Sequence, residues 1–226
     1  MKLSVIVPML DEAASIALTL EAIRFGAPAA EIIVVDGGSS DASLEVARPR
    51  CDLAISAARG RARQMNTGAQ RALGHVLVFV HADTIVPRTF ARDIEDALAD
   101  PEVVGGRFDV RLDDPHPLCI LIGALISLRS RISHTGTGDQ AIFVRKEIFD
   151  SLAGFPDMPI CEDLDFTRRL KRAGRVACLR SKVTTSARRW RTGGIMRTAI
   201  RMWTIRLLYL AGVSPVRLAR MYSNVR

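Results

Sequence analysis

Cysteine is scarce in this sequence, and no two cysteines form a CxxC pair. Neither a zinc knuckle nor a dithiol redox site is expected, so reduced thiols in a cytosolic protein are the default interpretation. The four cysteines are Cys51, Cys119, Cys161 and Cys178. A signal-peptide pattern is also missing, because Pro8 and Asp11 soon interrupt the first apolar run.

Several functional signatures are absent as well. No GxGxxG follows the first apolar run, and Gly37-Gly38 follows the second with the wrong spacing for a NAD-binding Rossmann enzyme. No GxSxG element of a serine hydrolase is present. There is no low-complexity tract, and 48% hydrophobic residues in a chain of 226 argue for one large folded domain or a domain with an appendage.

Acidic side chains are missing from the last 61 residues, which follow Asp165 and contain 16 Lys and Arg. The first 165 residues therefore hold 16 basic and 24 acidic side chains, a balance of −8 beside a tail of +16. Such a tail predicts contact with something anionic, such as nucleotide phosphates, a pyrophosphate-linked lipid, an anionic membrane or nucleic acid. A solvated helical face that balances the acidic body is the alternative.

The first hundred residues alternate strand and helix patterns. Strands separated by helices imply parallel pairing through right-handed crossovers. The predicted strands are Leu3–Val7, Glu31–Val35, Asp52–Ser56 and Val76–Val80, and the predicted helices are Ala13–Phe25, Ser43–Ala47, Ala62–Ala72 and Thr89–Leu98.

The second half predicts a mixed sheet. Val104–Leu112 and Ala141–Val144 have the pattern of antiparallel strands, and Lys146–Leu152 that of a helix. The fold class is therefore α/β, with a mixed, mostly parallel central sheet flanked by helices. Between the two strands, Leu118–Leu128 is almost wholly apolar, but its eleven residues fall short of the roughly 20 that span a bilayer. We expect a buried or interfacial helix there.

The C-terminal stretch Ile195–Val213 is predicted to be a basic amphipathic helix. One face carries Ile195, Ala199, Met202, Trp203, Leu207 and Leu210, and is interrupted by Arg206, while Arg197 and Arg201 lie opposite. Helices of this kind often lie on anionic membrane surfaces. Packing against the domain or a second subunit is an equally good interpretation. We accordingly divide the chain into a domain over residues 1–190 and a helical segment over residues 191–226.

Three of the predicted strands stop at acidic turns. The first ends before Asp11-Glu12, the second at Asp36 and the fourth just before Asp83. Because ligands of a parallel sheet bind at the carboxyl ends of its strands, these turns predict one shared site. For any single turn, a local turn or capping role is as good an explanation.

Four motifs together resemble a known family. In order along the chain they are Pro8-x-x-x-Glu12, Val34-Val35-Asp36-Gly37-Gly38-Ser39-Ser40-Asp41, His81-Ala82-Asp83 and Cys161-Glu162-Asp163. This series resembles the signatures of family 2 glycosyltransferases with the GT-A fold, over about residues 3–190. The stretches Gly60–Asn66, His81–Thr84 and Gly138–Gln140 most resemble a bacterial subgroup of small single-domain members.

The resemblance implies a nucleotide-sugar donor, with UDP-sugars favoured. It assigns donor contacts to Pro8, Glu12, Asp36, Arg61, Asn66 and Asp83, although Arg61 and Asn66 have equally good explanations as surface and cap residues. Asp83 is the implied metal ligand, and Mg²⁺ or Mn²⁺ suits oxygen ligands of this kind. Gly37 and His81 depart from the family, which often has acids in their places. His81 could bind a metal, but support of the strand end is the favoured role.

The resemblance also assigns the general base to Asp163, since an attacking hydroxyl must lose a proton. Glu162 and Asp165 would orient the acceptor or donor. The alternative is that Asp163 or Asp165 caps the helix predicted at Phe166–Ala173.

Two further segments are expected to contact the acceptor or the diphosphate. Asp139 and Gln140 follow a Gly-rich stretch that could equally be a plain turn. Arg188, Arg189 and Trp190 resemble the RW part of the QxxRW motif of processive members. The missing Gln and the lack of long transmembrane segments argue against a processive polymer synthase.

The sequence thus predicts an inverting, metal-dependent glycosyltransferase with a small or lipid-linked acceptor. We expect a cytoplasmic protein. If it is a peripheral membrane protein, we expect it on the inner face of the membrane. A nucleotidyltransferase would need a Gly-rich phosphate loop near the N-terminus, which Pro8–Glu12 does not offer. A nucleic-acid-binding protein is the other alternative. The basic tail has few stacking aromatics and interleaved apolar residues, so no nucleic-acid partner is expected. The sequence does not predict the oligomeric state.

Overall fold

One sheet of eight strands organises the part of the chain that the computed structural model describes, residues 1–222. The strands are β1 (Leu3–Met9), β2 (Glu31–Asp36), β3 (Leu53–Ser56), β4 (Val76–Phe79), β5 (Thr84–Ile85), β6 (Val103–Leu112), β7 (Ile142–Arg145) and β8 (Arg175–Thr185). The helices are α1 (Ile16–Gly26), α2 (Ser43–Ala47), α3 (Arg61–Arg71), α4 (Phe90–Leu98), α5 (Pro117–Ser133), α6 (Lys146–Ser151), α7 (Glu162–Ala173), α8 (Arg188–Gly193), α9 (Ile195–Leu210) and α10 (Pro215–Ala219). The strand order is β3-β2-β1-β4-β7-β6-β8-β5.

The first half of the sheet is parallel, as the alternating pattern predicted. β1 lies between β2 and β4 and pairs with both in parallel, while β3 pairs in parallel with β2. Every residue of β1 is buried, because helices cover both faces of the sheet. One core cluster includes Ile16, Leu20 and Ile23 of α1, and a second includes Met65 and Ala69 of α3.

The second half is mixed, as predicted, but its pairing differs in detail. β7 pairs antiparallel with both β4 and β6, whereas β6 runs parallel to β8. The antiparallel prediction for β6 is therefore right on one edge only. β8 was not predicted, because most of its residues are half-buried and show no alternation. The two-residue strand β5 was also missed, since it is too short to produce a pattern.

The apolar stretch Leu118–Leu128 lies within the longer helix α5. One side of α5 is buried through residues such as Cys119 and Ile122, while Leu121, Leu125 and Leu128 are exposed on the other. This agrees with the expectation of a buried or interfacial helix. No helix among residues 1–222 combines the length and the apolar character that crossing a bilayer requires.

The predicted C-terminal helix is present as α9, but its apolar residues divide into two groups. Ile195, Ala199 and Met202 pack against the domain, whereas Trp203, Leu207 and Leu210 are exposed. Ile205 of α9 and Leu218 of α10 are buried beside Cys161 and Leu164. These contacts attach the C-terminal helices to the start of α7. Part of the helix therefore packs as the alternative interpretation expected. The last residues of the predicted segment, 223–226, lie outside the described residues.

The close approach of β6 to β7 yields a prediction about stability. A Cβ added at Gly105 would lie 2.5 Å from the carbonyl oxygen of Phe143 and 3.0 Å from the Cα of Val144. Neither backbone atom can move away cheaply, so Gly105→Ala should cost about 1–3 kcal/mol of unfolding free energy and lower the melting temperature by several degrees. Glu102→Ala, an exposed control just before β6, should leave the melting temperature nearly unchanged. Equal melting temperatures for the two variants would contradict this packing.

Candidate active site

The carboxyl ends of β1 and β4 open into one cavity of about 830 Å³. Pro8 reaches it from the end of β1, Glu12 from the loop after β1, and His81 and Asp83 from the turn after β4. The two strands are neighbours and parallel, so their ends meet at one edge of the sheet.

The second half of the chain completes the cavity. Asp139 lies on the loop before β7, Glu162 and Asp163 lie on the first turn of α7, and Arg188, Arg189 and Trp190 lie on α8. Ten of the predicted site residues therefore line one space: Pro8, Glu12, Arg61, Asp83, Asp139, Glu162, Asp163, Arg188, Arg189 and Trp190.

Asp83 is a partly buried carboxyl with an altered acidity. Burial and the nearby carboxylate of Glu12 raise the pKa of Asp83 to about 6, although Arg188 and Arg61 oppose the shift. Arg188 itself is tied to Glu12 across 2.6 Å between Nη2 and Oε1. This ion pair joins the loop after β1 to α8 beside Asp83.

Asp163 is held by backbone rather than by a cation. The N–H of Gly138 donates to its Oδ2 over 2.7 Å. Burial and the adjacent Glu162 raise the pKa of Asp163, and the Gly138 hydrogen bond and Arg61 oppose the shift. A raised carboxyl pKa moves the group toward the range in which a general base works.

The helix-cap alternative for Asp163 and Asp165 is wrong. α7 begins at Glu162, and Cys161 occupies the cap position with a left-handed φ of 69°. Both aspartates therefore lie inside the first turn, where their charge favours the positive end of the helix dipole. The predicted helix began only at Phe166, four residues after the start of α7.

His81 packs against the glycine that holds Asp163. A Cβ at Gly138 would lie 2.3 Å from His81 Nε2, so the ring fills the space that a larger residue would need. Nε2 is buried without a hydrogen-bond partner among residues 1–222. Burial and Arg61 hold the pKa of His81 well below its usual value, so the ring is neutral. The arrangement agrees with a supporting role for His81 and adds Gly138 as the residue supported.

The glycine that replaces the second acid after β2 also has a specific neighbour. A Cβ on Gly37 would lie 3.0 Å from the amide group of Gln64. That amide is buried, and its Nε2 donates over 2.8 Å to the carbonyl oxygens of both Met9 and Val35. Gln64 thus fastens the ends of β1 and β2 together. It lines the cavity but was not among the predicted site residues, because a lone Gln in a helix pattern carries no signal.

Arginines surround the acidic groups of the cavity. Arg61 lies 3.5 Å from Glu162, and although burial works against its charge, Glu162 and Asp163 raise its pKa further. Arg129 of α5 and Arg206 of α9 also line the cavity and were not predicted as site residues. In the sequence, Arg206 interrupts the apolar face of the predicted C-terminal helix, and that interruption is the one signal that could have identified it.

Four predicted site residues do not line the cavity. Asp36 is buried, and its carboxylate accepts hydrogen bonds from the backbone N–H groups of Gly38 and Ser39 and from the Ser39 hydroxyl. Asn66 exchanges two hydrogen bonds with the backbone of Phe155.

The other two hold the second half of the chain together. Gln140 is fully buried and donates to the carbonyl oxygen of Phe108. Asp165 accepts from Arg169 at 2.7 Å and from the hydroxyl of Tyr209 at 3.2 Å, which ties α7 to α9. These side chains are engaged in the scaffold, so a direct ligand contact would require each to exchange its present partners.

The chemistry of the donor set suits a metal that is shared with a ligand. Among residues 1–222, no group of three or more His, Cys, Asp or Glu side chains could hold a metal ion by itself. Mg²⁺ commonly keeps several waters and is bound by one or two carboxylates together with substrate phosphates. Asp83, at the edge of an open cavity with Arg61 and Arg188 nearby, fits the protein's part of such a site.

Comparison with known proteins identifies the family of the chain and solved structures of similar fold. Residues 4–135, more than half of the chain, match the model of glycosyl transferase family 2. No curated protein sequence matches the chain.

Three solved structures are similar in fold. The mannosyltransferase PcManGT from Pyrobaculum calidifontis, in complex with GDP-Man and Mn²⁺, is 21% identical with a TM-score of 0.68, and the match covers 97% of this chain and 68% of that one. TarS 1–349 from S. aureus is 20% identical with a TM-score of 0.60, covering 83% of this chain and 61% of that one. Glucosyl-3-phosphoglycerate synthase from Mycobacterium tuberculosis, in complex with Mn²⁺, UDP and its glucosylated product, is 19% identical with a TM-score of 0.56, covering 82% and 70%. The chain thus spans less than two thirds of the TarS fragment, and the likeness confirms the predicted GT-A fold.

Proposed function

The chain belongs to glycosyl transferase family 2, and on that basis we propose that it is an inverting, metal-dependent enzyme that transfers a sugar from a nucleotide-sugar donor to a small or lipid-linked acceptor. One observation carries the proposal: Asp83 from the parallel half and Asp163 from the second half line the same cavity. Arg61 and Asp139 act on the pKa of both carboxyls, so the two belong to one electrostatic site.

In the proposed reaction, the acceptor hydroxyl attacks the anomeric carbon of the donor sugar. A new carbon–oxygen bond forms as the bond to the nucleoside diphosphate breaks, and Asp163 takes the hydroxyl proton. A single displacement inverts the anomeric centre and needs no covalent nucleophile. The hydrogen bond from Gly138 orients the carboxylate of Asp163 before the acceptor arrives.

The diphosphate gains negative charge as it leaves, and cationic groups stabilise that charge. Arg61 and Arg188 are the side chains we assign to this task, with Arg189 beside them. Mg²⁺ or Mn²⁺ at Asp83 would supply further charge neutralisation. Similar structures contain GDP-Man with Mn²⁺ in one case and UDP with Mn²⁺ in another, which supports a divalent metal and leaves UDP-sugars as our favoured donors.

Donor binding is testable through thermal stability, because a ligand that binds only the folded state raises the melting temperature. We expect stabilisation by a UDP-sugar, and less by GDP- and dTDP-sugars, with a gain on adding Mn²⁺ or Mg²⁺. Asp83→Asn should remove the metal-dependent gain, while the exposed control Asp96→Asn should keep it. If no nucleotide-sugar raises the melting temperature with either metal, donor binding is excluded and the proposal with it.

The base assignment predicts a separation of turnover from binding. Asp163→Asn keeps the shape of the side chain but cannot accept the proton, so turnover with a productive acceptor should fall roughly 100-fold or more. Stabilisation by the donor should be retained. Near-normal turnover in this variant would overturn the role of Asp163.

Glu162→Gln provides the matched comparison for that experiment. The carboxylate of Glu162 raises the pKa of Asp163. It also forms an ion pair with Arg61, with 3.5 Å between Oε1 and Nη1. Removing its charge should lower the Asp163 pKa through both effects. Since the base must be deprotonated, activity is lost as pH falls through this pKa, and the acid limb of the pH–rate profile should move to lower pH in Glu162→Gln. A shift to higher pH would contradict the electrostatics of this pair.

An exposed apolar surface that shares residues with the cavity wall supports the proposal that the enzyme works on the inner face of a membrane. Ten of the sixteen exposed large apolar side chains of the described residues lie on two helices. On α5 they are Ile120, Leu121, Leu125, Leu128 and Ile132, and on α9 they are Met196, Ile200, Trp203, Leu207 and Leu210. A concentration of exposed apolar side chains marks an interaction site, and the basic charge of this region favours anionic headgroups.

Vesicle sedimentation tests this location. We expect binding to phosphatidylglycerol-containing vesicles that exceeds binding to pure phosphatidylcholine. Leu128→Asp and Leu210→Asp lie on the two apolar surfaces but do not line the cavity, so each should weaken vesicle binding several-fold. Leu73→Asp, at a position 70% exposed between α3 and β4, is the matched control. Equal losses in all three variants, or no sedimentation of the parent protein, would contradict membrane binding through α5 and α9.

A further inference from the structure

The lining of the cavity is of two chemical kinds. The polar lining includes Asp83 and Asp163, which the proposed reaction uses. The apolar lining is a cleft formed by α5 and α9, with Leu121, Ile122 and Leu125 from α5 and Met196, Ile200 and Trp203 from α9. Sugar and nucleotide chemistry gives no reason for such a wall, so this cleft suits a hydrocarbon chain.

Arg129 lines the cavity from α5, and within the described residues its side chain makes neither a hydrogen bond nor an ion pair. Its Nε is buried and makes no hydrogen bond, and no ion pair of this side chain is found within residues 1–222. Two other arginines of the cavity are paired with carboxylates: Arg61 lies 3.5 Å from Glu162, and Arg188 lies 2.6 Å from Glu12. A partly buried, unpaired guanidinium is costly, which makes Arg129 a strong candidate for binding an anion.

Arg206 lines the same cavity from α9. Its guanidinium donates to the Thr135 hydroxyl over 3.0 Å, and no carboxylate pairs with it in the described chain. Burial and the charge of Arg206 lower the pKa of Arg129 to about 10. Two cations that disfavour each other's charge in a partly dry cavity would both be stabilised by one anion between them.

The two arginines share the cavity with the proposed base. Arg129, Arg206 and Asp163 all line it. Burial lowers the pKa of both guanidinium groups, and the carboxylate of Asp163 opposes that shift. Planar guanidinium groups bind phosphate with two parallel hydrogen bonds, which suits them to a phosphorylated ligand.

We propose that Arg129 and Arg206 bind the phosphate of an amphipathic acceptor, a phosphorylated lipid whose hydrocarbon chain lies in the cleft between α5 and α9. The inference rests on the proposed transferase function and narrows its acceptor to one chemical class. The apolar side chains of α5 and α9 would cover the hydrocarbon chain of a lipid phosphate. A water-soluble phosphorylated acceptor would leave them without an apolar partner.

Tryptophan fluorescence offers a direct binding assay, because the two tryptophans of the chain, Trp190 and Trp203, both line the cavity. The probes are farnesyl phosphate below its aggregation concentration, farnesol, inorganic phosphate and glycerol phosphate. We expect farnesyl phosphate to bind at least tenfold more tightly than each of the other three. Arg129→Gln and Arg206→Gln should each weaken farnesyl phosphate at least tenfold and leave farnesol binding unchanged.

Arg172→Gln is the control for net charge, since Arg172 is exposed on α7 and does not line the cavity. It should bind farnesyl phosphate as the parent protein does, and the melting temperatures of all three variants without ligand show whether each is folded. The inference is overturned if farnesol binds as tightly as farnesyl phosphate, or if the three arginine variants behave alike. Equally tight binding of glycerol phosphate would instead overturn the lipid part.

The same samples separate this inference from the function on which it rests. Stabilisation by a UDP-sugar with Mn²⁺ is measured alongside lipid binding in the parent protein. Arginine-dependent binding of farnesyl phosphate without any donor response would leave the phosphate site intact and refute the transferase. Donor binding that is intact in Arg129→Gln and Arg206→Gln, with no effect on lipid binding, would refute the phosphate site alone.

Discussion

The antiparallel pairing of β4 with β7 is the constraint on which the site depends. It is the place where the parallel, strand–helix half of the sheet meets the second half, through Phe79 beside Ile142. The loops at this junction then meet, and Gly138 before β7 lies against His81 after β4 while its N–H holds Asp163. Without this junction, Asp83 and Asp163 would belong to separate surfaces. A hydrogen bond of 2.7 Å and one missing Cβ thus connect the two proposed chemical roles.

Two glycines show how the site departs from its family without losing its shape. At Gly37 the space is filled by the amide of Gln64, which joins the ends of β1 and β2. At Gly138 the space is filled by the neutral ring of His81. Gly37 and His81 stand where the family often has acids. Gly37 packs against Gln64, and His81 packs against Gly138. The acids are replaced by structural contacts, which leaves Asp83 as the carboxylate that reaches the cavity from β4.

The basic tail also has a more specific meaning in the folded protein. Its sequence suggests any anionic partner, but α8 and α9 direct Arg188, Arg189 and Arg206 into the cavity. Arg188 meets Glu12, and the guanidinium of Arg189 lies 4.4 Å from the centre of the Tyr222 ring. Part of the positive charge of the tail therefore faces acidic groups of the same chain. In the proposed function, the phosphates of the donor bind to the same arginines. The basic tail and the acidic body also pair outside the cavity, as Arg175 does with Asp100 and Arg191 with Asp113.

The sequence by itself determined the parallel first half, the helices between its strands and the turns that carry Asp83 and Glu12, because apolar periodicity and strand ends are local properties. It also determined the family, through motifs whose order along the chain is visible without a structure. Only the tertiary structure decided which side chains share the cavity. It directed Asp36, Asn66, Gln140 and Asp165 into the scaffold and brought Arg129 and Arg206 to the site. Those outcomes depend on which buried polar groups find partners across long sequence separations, and no local pattern encodes such pairings.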